Sequence, residues 1–246
     1  MSLLSDLKIL YHLALRPVRG RDHSERMENF YAGQAEAYDD FRKRLLQGRE
    51  ELYRQIDLPE GGIWVDLGGG TGANLEFIQD RVPRLRKAYV VDLARSLLQV
   101  ADKRFRSLGW EHVEAVEADA TEWQPTEGQV DVVTFSYSLT MIPDWFAAID
   151  NALRMLRPGG TIGVVDFYVS RKHPSFDGAI RHSWFTRTFW PTWFALDNVF
   201  PSADHLPYLL AHTDRQWLQE RRSKVPYIPF IRAPYYQYIG TKPASE

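Results

Sequence analysis

Short apolar runs alternate with longer amphipathic stretches through the middle of the chain. Residues 63–67, 88–91, 113–116, 130–137 and 161–167 are rich in Val, Ile, Leu, Phe and Tyr, the pattern of strands buried in a sheet. Between them, residues 93–108 and 145–156 repeat apolar side chains at helical spacing, and 73–81 has helical composition. Strands alternating with helices of this length predict βαβ units. The expected fold is α/β, a mostly parallel twisted sheet with helices on both faces, centred on residues 55–170.

The flanks follow other rules. Leu3, Leu4, Leu7, Leu10, Tyr11 and Ala14 line one face of a predicted helix that Pro17 stops. That face suits a bilayer interface and the protein's own core equally well. A charged helical stretch with Phe30, Tyr31, Tyr38 and Phe41 follows. Residues 1–55 are therefore expected to form an N-terminal helical lid or membrane-surface segment ahead of a domain at 56–246. After Phe167 the alternation stops, so residues 168–233 are expected to form an aromatic-rich insertion before the last strands, with 235–240 as a closing strand. Seven aromatics fall within residues 184–200, where the chain average of 13% would give about two. A substrate tunnel, a cation-binding cage, an interfacial belt and a plain core all fit such density.

Composition narrows the chemistry. The 246 residues include no cysteine, which excludes disulfide frameworks, thiolate catalysis and Cys-containing zinc sites, and nothing else in the sequence suggests a metal. No run of 18 apolar residues is present. The net charge of −2 divides into +2 over residues 1–24, −8 over 25–170 and +4 over 171–246. An acidic body argues against nucleic acid as a partner, while the two basic ends could share an anionic surface.

The chemistry concentrates at Val65-Asp66-Leu67-Gly68-Gly69-Gly70-Thr71-Gly72. Glycines here let the chain turn from strand to helix and leave no Cβ where a ligand approaches. Gly68, Gly70 and Ala73 satisfy a dinucleotide fingerprint, and Asp92, 20 residues past Gly72, could hold the ribose of either NAD or adenosylmethionine. Three features separate these readings. Asp66 would repel a pyrophosphate and attract the ammonium of a methionine moiety. Asp119 could accept from an adenine amino group. Leu156-Arg157-Pro158-Gly159-Gly160 is a turn leading into the fifth strand.

Over roughly residues 60–167 these elements, in this order, resemble class I adenosylmethionine-dependent methyltransferases, which have a Rossmann-like sheet. The resemblance implies S-adenosylmethionine as cofactor and S-adenosylhomocysteine as product. It implies Asp66, Gly68, Gly70 and Gly72 beside the methionine part, Asp92 and Leu93 at the ribose, Asp119 and Ala120 at the adenine, and Ser136 to Ser138 facing the methyl donor. Tyr31 and Arg42, in the segment where this family commonly places a lid helix, are further cofactor candidates, and Tyr38 could cover the methyl group; packing that helix onto the sheet explains the same residues.

Phe135-Ser136-Tyr137-Ser138-Leu139-Thr140-Met141-Ile142-Pro143-Asp144-Trp145, Val165-Asp166-Phe167-Tyr168, the aromatic run and Asp204-His205-Leu206-Pro207-Tyr208 narrow the resemblance to bacterial betaine-lipid N-methyltransferases. It implies a lipid substrate at a membrane surface, diacylglyceryl-homoserine, methylated successively on nitrogen. It further implies a partner enzyme that makes that lipid, and a cytoplasmic location, peripheral on the inner face of the membrane. Proton acceptors would come from Asp166, His182 and His205. Aromatic faces at Tyr137, Trp184 and Trp193 could stabilise the methylated cation, and Arg181 or Arg187 could hold the substrate carboxylate. The alternatives are a methyltransferase of another small-molecule or lipid amine and, from other classes, a nicotinamide-dependent oxidoreductase and a non-catalytic lipid-surface module.

Overall fold

The computed structural model describes residues 25, 28, 45–174, 176, 178–196, 198–225 and 228–244. The helix expected at 1–15 and the stretch bearing Tyr31, Tyr38 and Arg42 lie outside the described residues.

All five apolar runs form strands: β1 (Ile63–Leu67), β2 (Lys87–Asp92), β3 (Val113–Glu117), β4 (Val130–Ser136) and β5 (Leu156–Phe167). They are followed in the sheet by a hairpin, β6 (Asp214–Val225) and β7 (Ile228–Thr241). The order across the sheet is β3-β2-β1-β4-β5-β7-β6, parallel from β3 to β5, with β7 antiparallel to both β5 and β6. This is the Rossmann-like arrangement expected. The helices are α1 (Arg49–Gln55), α2 (Arg95–Ser107), α3 (Trp145–Met155), α4 (Trp184–Ala195) and α5 (His205–His212).

Every residue of β1 is buried, so its side chains serve two cores in alternation. Ile63, Val65 and Leu67 join one core with Ala148, Ile149 and Ala152 of α3, while Trp64 points into the other. There it stacks on Tyr53 of α1, with ring centroids 5.5 Å apart. Arg81 fixes the end of α1 by donating to the carbonyls of Tyr53 at 2.6 Å and Ile56 at 2.8 Å. Helix α1 is thus built into the sheet's core, and a boundary at residue 55 falls at the end of a packed element. At the start of α2, the Ser96 backbone N–H donates to Glu28 at 3.1 Å, an acid meeting a helix N-terminus.

Two segments depart from the sequence pattern. Residues 73–81 do not form a regular α-helix: two 3-10 stretches occupy Ala73–Ile78 and Val82–Arg84. Pro83, with no N–H and a ring that crowds the preceding turn, prevents a continuous helix from running through. Strand β6 falls inside the expected insertion; as an edge strand it is charged and largely exposed or half-buried, so it shows no inward alternation.

The Tyr53 hydroxyl donates to Asp66 Oδ1 at 2.7 Å inside this core. Tyr53→Phe removes that donor and leaves a buried carboxylate less satisfied, which should destabilise the protein by about 1–3 kcal/mol in urea unfolding; an unchanged midpoint and slope would contradict this account of the core.

Candidate active site

The strand order reverses between β1 and β4, and in open α/β sheets the crevice beyond the carboxyl ends at such a point receives ligands. The glycine turn that leaves β1 is tied to β2 there: the Gly68 and Gly69 N–H groups donate to the Val91 carbonyl at 2.8 and 3.2 Å. Gly68 and Gly72 have φ of 68° and 67°. A Cβ on Gly68 would sit 2.4 Å from Ser138 Cβ, and one on Gly72 would sit 2.5 Å from Phe105 Cζ. Both positions demand glycine on two counts, backbone conformation and close approach. Asp92 locks the turn from the other side, accepting from Gly70 N at 2.9 Å and from Ala94 N at 2.9 Å.

A cavity opens against this turn. Gly68, Asp92, Leu93, Asp119, Ala120 and Tyr137 line it, and the loop after β4 adds Ser138 and residues 141–144. Asp119 is held in place by accepting from the N–H of Thr121 at 2.8 Å and from its hydroxyl at 2.7 Å. Among the described residues the lining includes three acids, Asp92, Asp119 and Asp144, and no lysine or arginine. Carboxylates at the ends of β2 and β3 can accept from ribose hydroxyls and an amino group, with the apolar side chains of Leu93, Leu97 and Ile142 between them for a base. The same set repels a diphosphate. The donor and acceptor chemistry therefore fits adenosylmethionine and opposes a dinucleotide.

Comparison with known proteins agrees. Residues 65–160 match the family model described as "Methyltransferase domain". The ubiquinone/menaquinone biosynthesis C-methyltransferase UbiE of Pseudomonas savastanoi pv. phaseolicola is 26% identical over 169 residues, covering 66% of this chain and 66% of that protein. The similarity thus spans just under two thirds of that relative's length. Among solved structures, the N-methyltransferase NodS of Bradyrhizobium japonicum, in complex with S-adenosyl-L-homocysteine, superposes with a TM-score of 0.57 at 15% identity, covering 84% of this chain and 98% of that one. A SAM-dependent methyltransferase of Aquifex aeolicus gives 0.56 at 16%, covering 85% and 97%. Over residues 65–160 the chain is similar to a methyltransferase domain.

The expected cofactor residues divide. Gly68, Asp92, Leu93, Asp119 and Ala120 line the cavity, whereas Asp66, Gly70, Gly72 and Ser136 lie behind its wall. Asp66 is fully buried and accepts from Tyr53, from Thr134 Oγ1 at 2.9 Å and from Asn74 Nδ2 at 3.2 Å. The expected direct contact with a methionine ammonium is corrected accordingly: the Asp66 carboxylate braces the turn from within the core. Burial raises its pKa, and its three side-chain donors pull the other way. Ser136 is buried too, its Oγ without a partner among the described residues, and Ser138, which the resemblance placed only as part of a run, is the serine at the cavity.

The expected catalytic residues need larger corrections. Tyr137 does line the cavity; its hydroxyl donates to the Gln47 carbonyl at 2.7 Å, and burial holds the phenol well above its ordinary pKa of 10.0. Its backbone adopts φ of 56°, a left-handed conformation rare for an aromatic residue and the kind of local strain that clusters at functional sites. His205 is fully buried beside Trp145, at 4.7 Å between ring centroids, and burial lowers its pKa to about 3. His182 accepts from the Ser170 N–H at 3.0 Å, with a pKa lowered to about 4 by burial and then by Arg222 and Arg187. Neither histidine lines the cavity, and imidazoles so depressed are poor proton acceptors near neutral pH.

Asp166 is enclosed as well. It accepts from the Thr140 hydroxyl at 2.8 Å, the Thr140 N–H at 3.2 Å and the Phe167 N–H at 2.8 Å, so it anchors the loop after β4 and does not face substrate. Arg181, Trp184, Arg187 and Trp193 also lie outside the cavity lining. Trp184 and Trp193 are exposed on α4, and Arg187 Nε is buried without a partner among the described residues. The residues that sequence reasoning missed are Val91, Leu97, Ala118, Thr121, Met141, Ile142, Pro143 and Asp144. Their only signal was membership of β2 or of segments adjoining β2, β3 and β4.

Two measurements follow from this geometry. Asp92→Ala should weaken adenosylmethionine binding by about 1–3 kcal/mol in calorimetry, since ribose hydroxyls and the Gly70 N–H lose an ionised acceptor. For Asp166, burial lifts the pKa from 3.8 to about 7. An acid whose folded pKa is raised contributes stability that is complete below the lower value and lost as pH rises through the upper one. The melting temperature of Asp166→Asn minus that of the parent should therefore increase from pH 4 to pH 7 and then level off; a difference flat across that range would refute it.

Proposed function

We propose that the protein is an S-adenosylmethionine-dependent N-methyltransferase acting on the amino group of a lipid headgroup, with successive methylation of diacylglyceryl-homoserine to diacylglyceryl-trimethylhomoserine as its reaction. One observation carries the reading. The acid-lined cavity includes Tyr137, whose ring meets the buried Phe167 at 4.6 Å, and Phe167 in turn stacks on Phe194 of α4 at 4.6 Å. An aromatic ring at the cavity suits a product that becomes a fixed cation, which a ring face stabilises by about 0.5–2 kcal/mol. The similarity to the N-methyltransferase NodS is one of fold and sets no substrate.

Bound adenosylmethionine would supply a sulfonium methyl group whose carbon the lone pair of a neutral amine attacks in line, a C–N bond forming as the C–S bond breaks and its electron pair leaves with the sulfur of S-adenosylhomocysteine. Asp92 and Asp119 orient the adenosine half, and the glycine turn lets the backbone approach the rest. Tyr137 and the loop after β4 set the position of the acceptor and exclude water from the reacting line. Among the described residues of the lining there is no imidazole or amine side chain, and the ammonium proton of each of the first two steps leaves to solvent past the lining carboxylates. The reading extends to a partner enzyme that makes the homoserine lipid and to a peripheral place on the inner face of the membrane.

A carbon acceptor is the second reading, favoured by the 26% identity to a quinone-pathway C-methyltransferase. The decisive experiment incubates the protein with methyl-labelled adenosylmethionine and either diacylglyceryl-homoserine or a demethylated quinone, followed by mass analysis. Stepwise additions of one, two and three methyl groups to the homoserine lipid are expected. Label confined to the quinone would overturn the nitrogen assignment.

A further inference from the structure

Helix α4 carries two aromatic stripes where one would suffice to pack it. Ser183 starts the helix, its Oγ accepting from the Thr186 N–H at 3.2 Å. Trp190 and Phe194 form the inner stripe, both buried, stacked on each other at 5.1 Å and, through Phe194, on Phe167. Phe185, Phe189, Trp193 and Leu196 recur at helical spacing on another side. Phe185 stacks on Phe189 at 5.2 Å, and Phe189 meets Trp193 at 5.4 Å. This outer stripe is open: Phe185 is 63% exposed and Leu196 67%, with Trp184 at 73% and Phe200 at 56% beside them. A helix that exposes an apolar stripe beside its packed one calls for a second partner.

From this outer stripe we infer that α4 docks the protein on an anionic lipid bilayer. Charge selects that occupant. Residues 184–195 include no acid, and exposed Lys172 and Arg181 lie in the segment that leads into the helix, where Arg171 is already paired with Asp204 at 2.6 Å. Aromatic side chains flanked by basic ones are the composition that settles at the headgroup boundary. A second copy of the chain fits less well: twelve residues of helix span about 18 Å, and a stripe about 10 Å wide along it offers far less than the roughly 800 Å² per partner of a stable interface. The inner stripe joins the outer one to Tyr137 through Phe194 and Phe167, so docking would bring the acceptor side of the cavity to the membrane. The inference deepens the lipid-acceptor reading and rests on it for the purpose of the contact, while the contact can be measured separately.

The test floats the full chain with phosphatidylcholine vesicles, with and without phosphatidylglycerol, and runs Phe185→Ala/Leu196→Ala in parallel; both side chains are exposed, so the fold should tolerate the change. Flotation of the parent with the anionic vesicles, weakened by salt, is expected, with the bound fraction of the double variant about tenfold lower. Methyl transfer to a water-soluble amine acceptor should be equal in the two proteins. Absence of parental flotation, or equal flotation of the variant, overturns the inference. So does a light-scattering shift from dimer to monomer in the variant without loss of vesicle binding, which would make the stripe a contact between copies. Flotation that behaves as expected while no acceptor is ever methylated upholds the docking and defeats the proposed function.

Discussion

A carboxylate sealed from water sits at the centre of this molecule. Asp66 lies on the middle strand of the parallel sheet, and its three side-chain donors come from α1, from β4 and from the 3-10 segment after the glycine turn. A buried charge or polar carboxyl is tolerated only when its hydrogen-bonding capacity is met, so these four elements can assemble in one way. The consequence is positional. The turn at Gly68 to Gly72 is carried between Asp66 behind it and Asp92 in front, and the cavity inherits its shape from that clamp.

The loop after β4 has a similar arrangement. Asp166, enclosed at the end of β5, holds Thr140 through both hydroxyl and backbone. Phe200 donates its N–H to the Thr140 carbonyl at 2.7 Å, which ties the segment after α4 to the same loop. Cofactor cavity and aromatic helix are therefore linked by a short stretch of chain between Tyr137 and Thr140. Acids at the core of the site set geometry; acids at its surface line the cavity. Residue type alone does not distinguish them.

That distinction marks how far the sequence could be read. Strands β1 to β5 and helices α2 and α3 were legible because their burial is local and periodic, and the glycine turn because only glycine satisfies both the positive φ and the contact with Ser138. Gly68, Asp92 and Asp119 follow from their place at strand ends. Strand β6 was hidden, since pairing with β7 makes Asp214 to Val225 extended and nothing in its own polar pattern does. His182 and His205 looked like bases by residue type, whereas their chemistry is decided by burial among side chains distant in sequence. The cavity residues from Met141 to Asp144 belong to an irregular loop, for which no periodic signal exists.

The charged character of β6 matters beyond this chain's own folding. A seven-stranded sheet has two open margins, and here they are β3, with Glu114 and Glu117 exposed, and β6, with Arg215, Glu220, Arg221, Arg222 and Lys224 along it. A neighbouring molecule seeking to extend the sheet by strand addition would have to bury those charges beside its own backbone. The hairpin that completes the fold thus doubles as a guard against edge-to-edge aggregation, and neutralising its charges would be the shortest route to losing solubility without losing the fold.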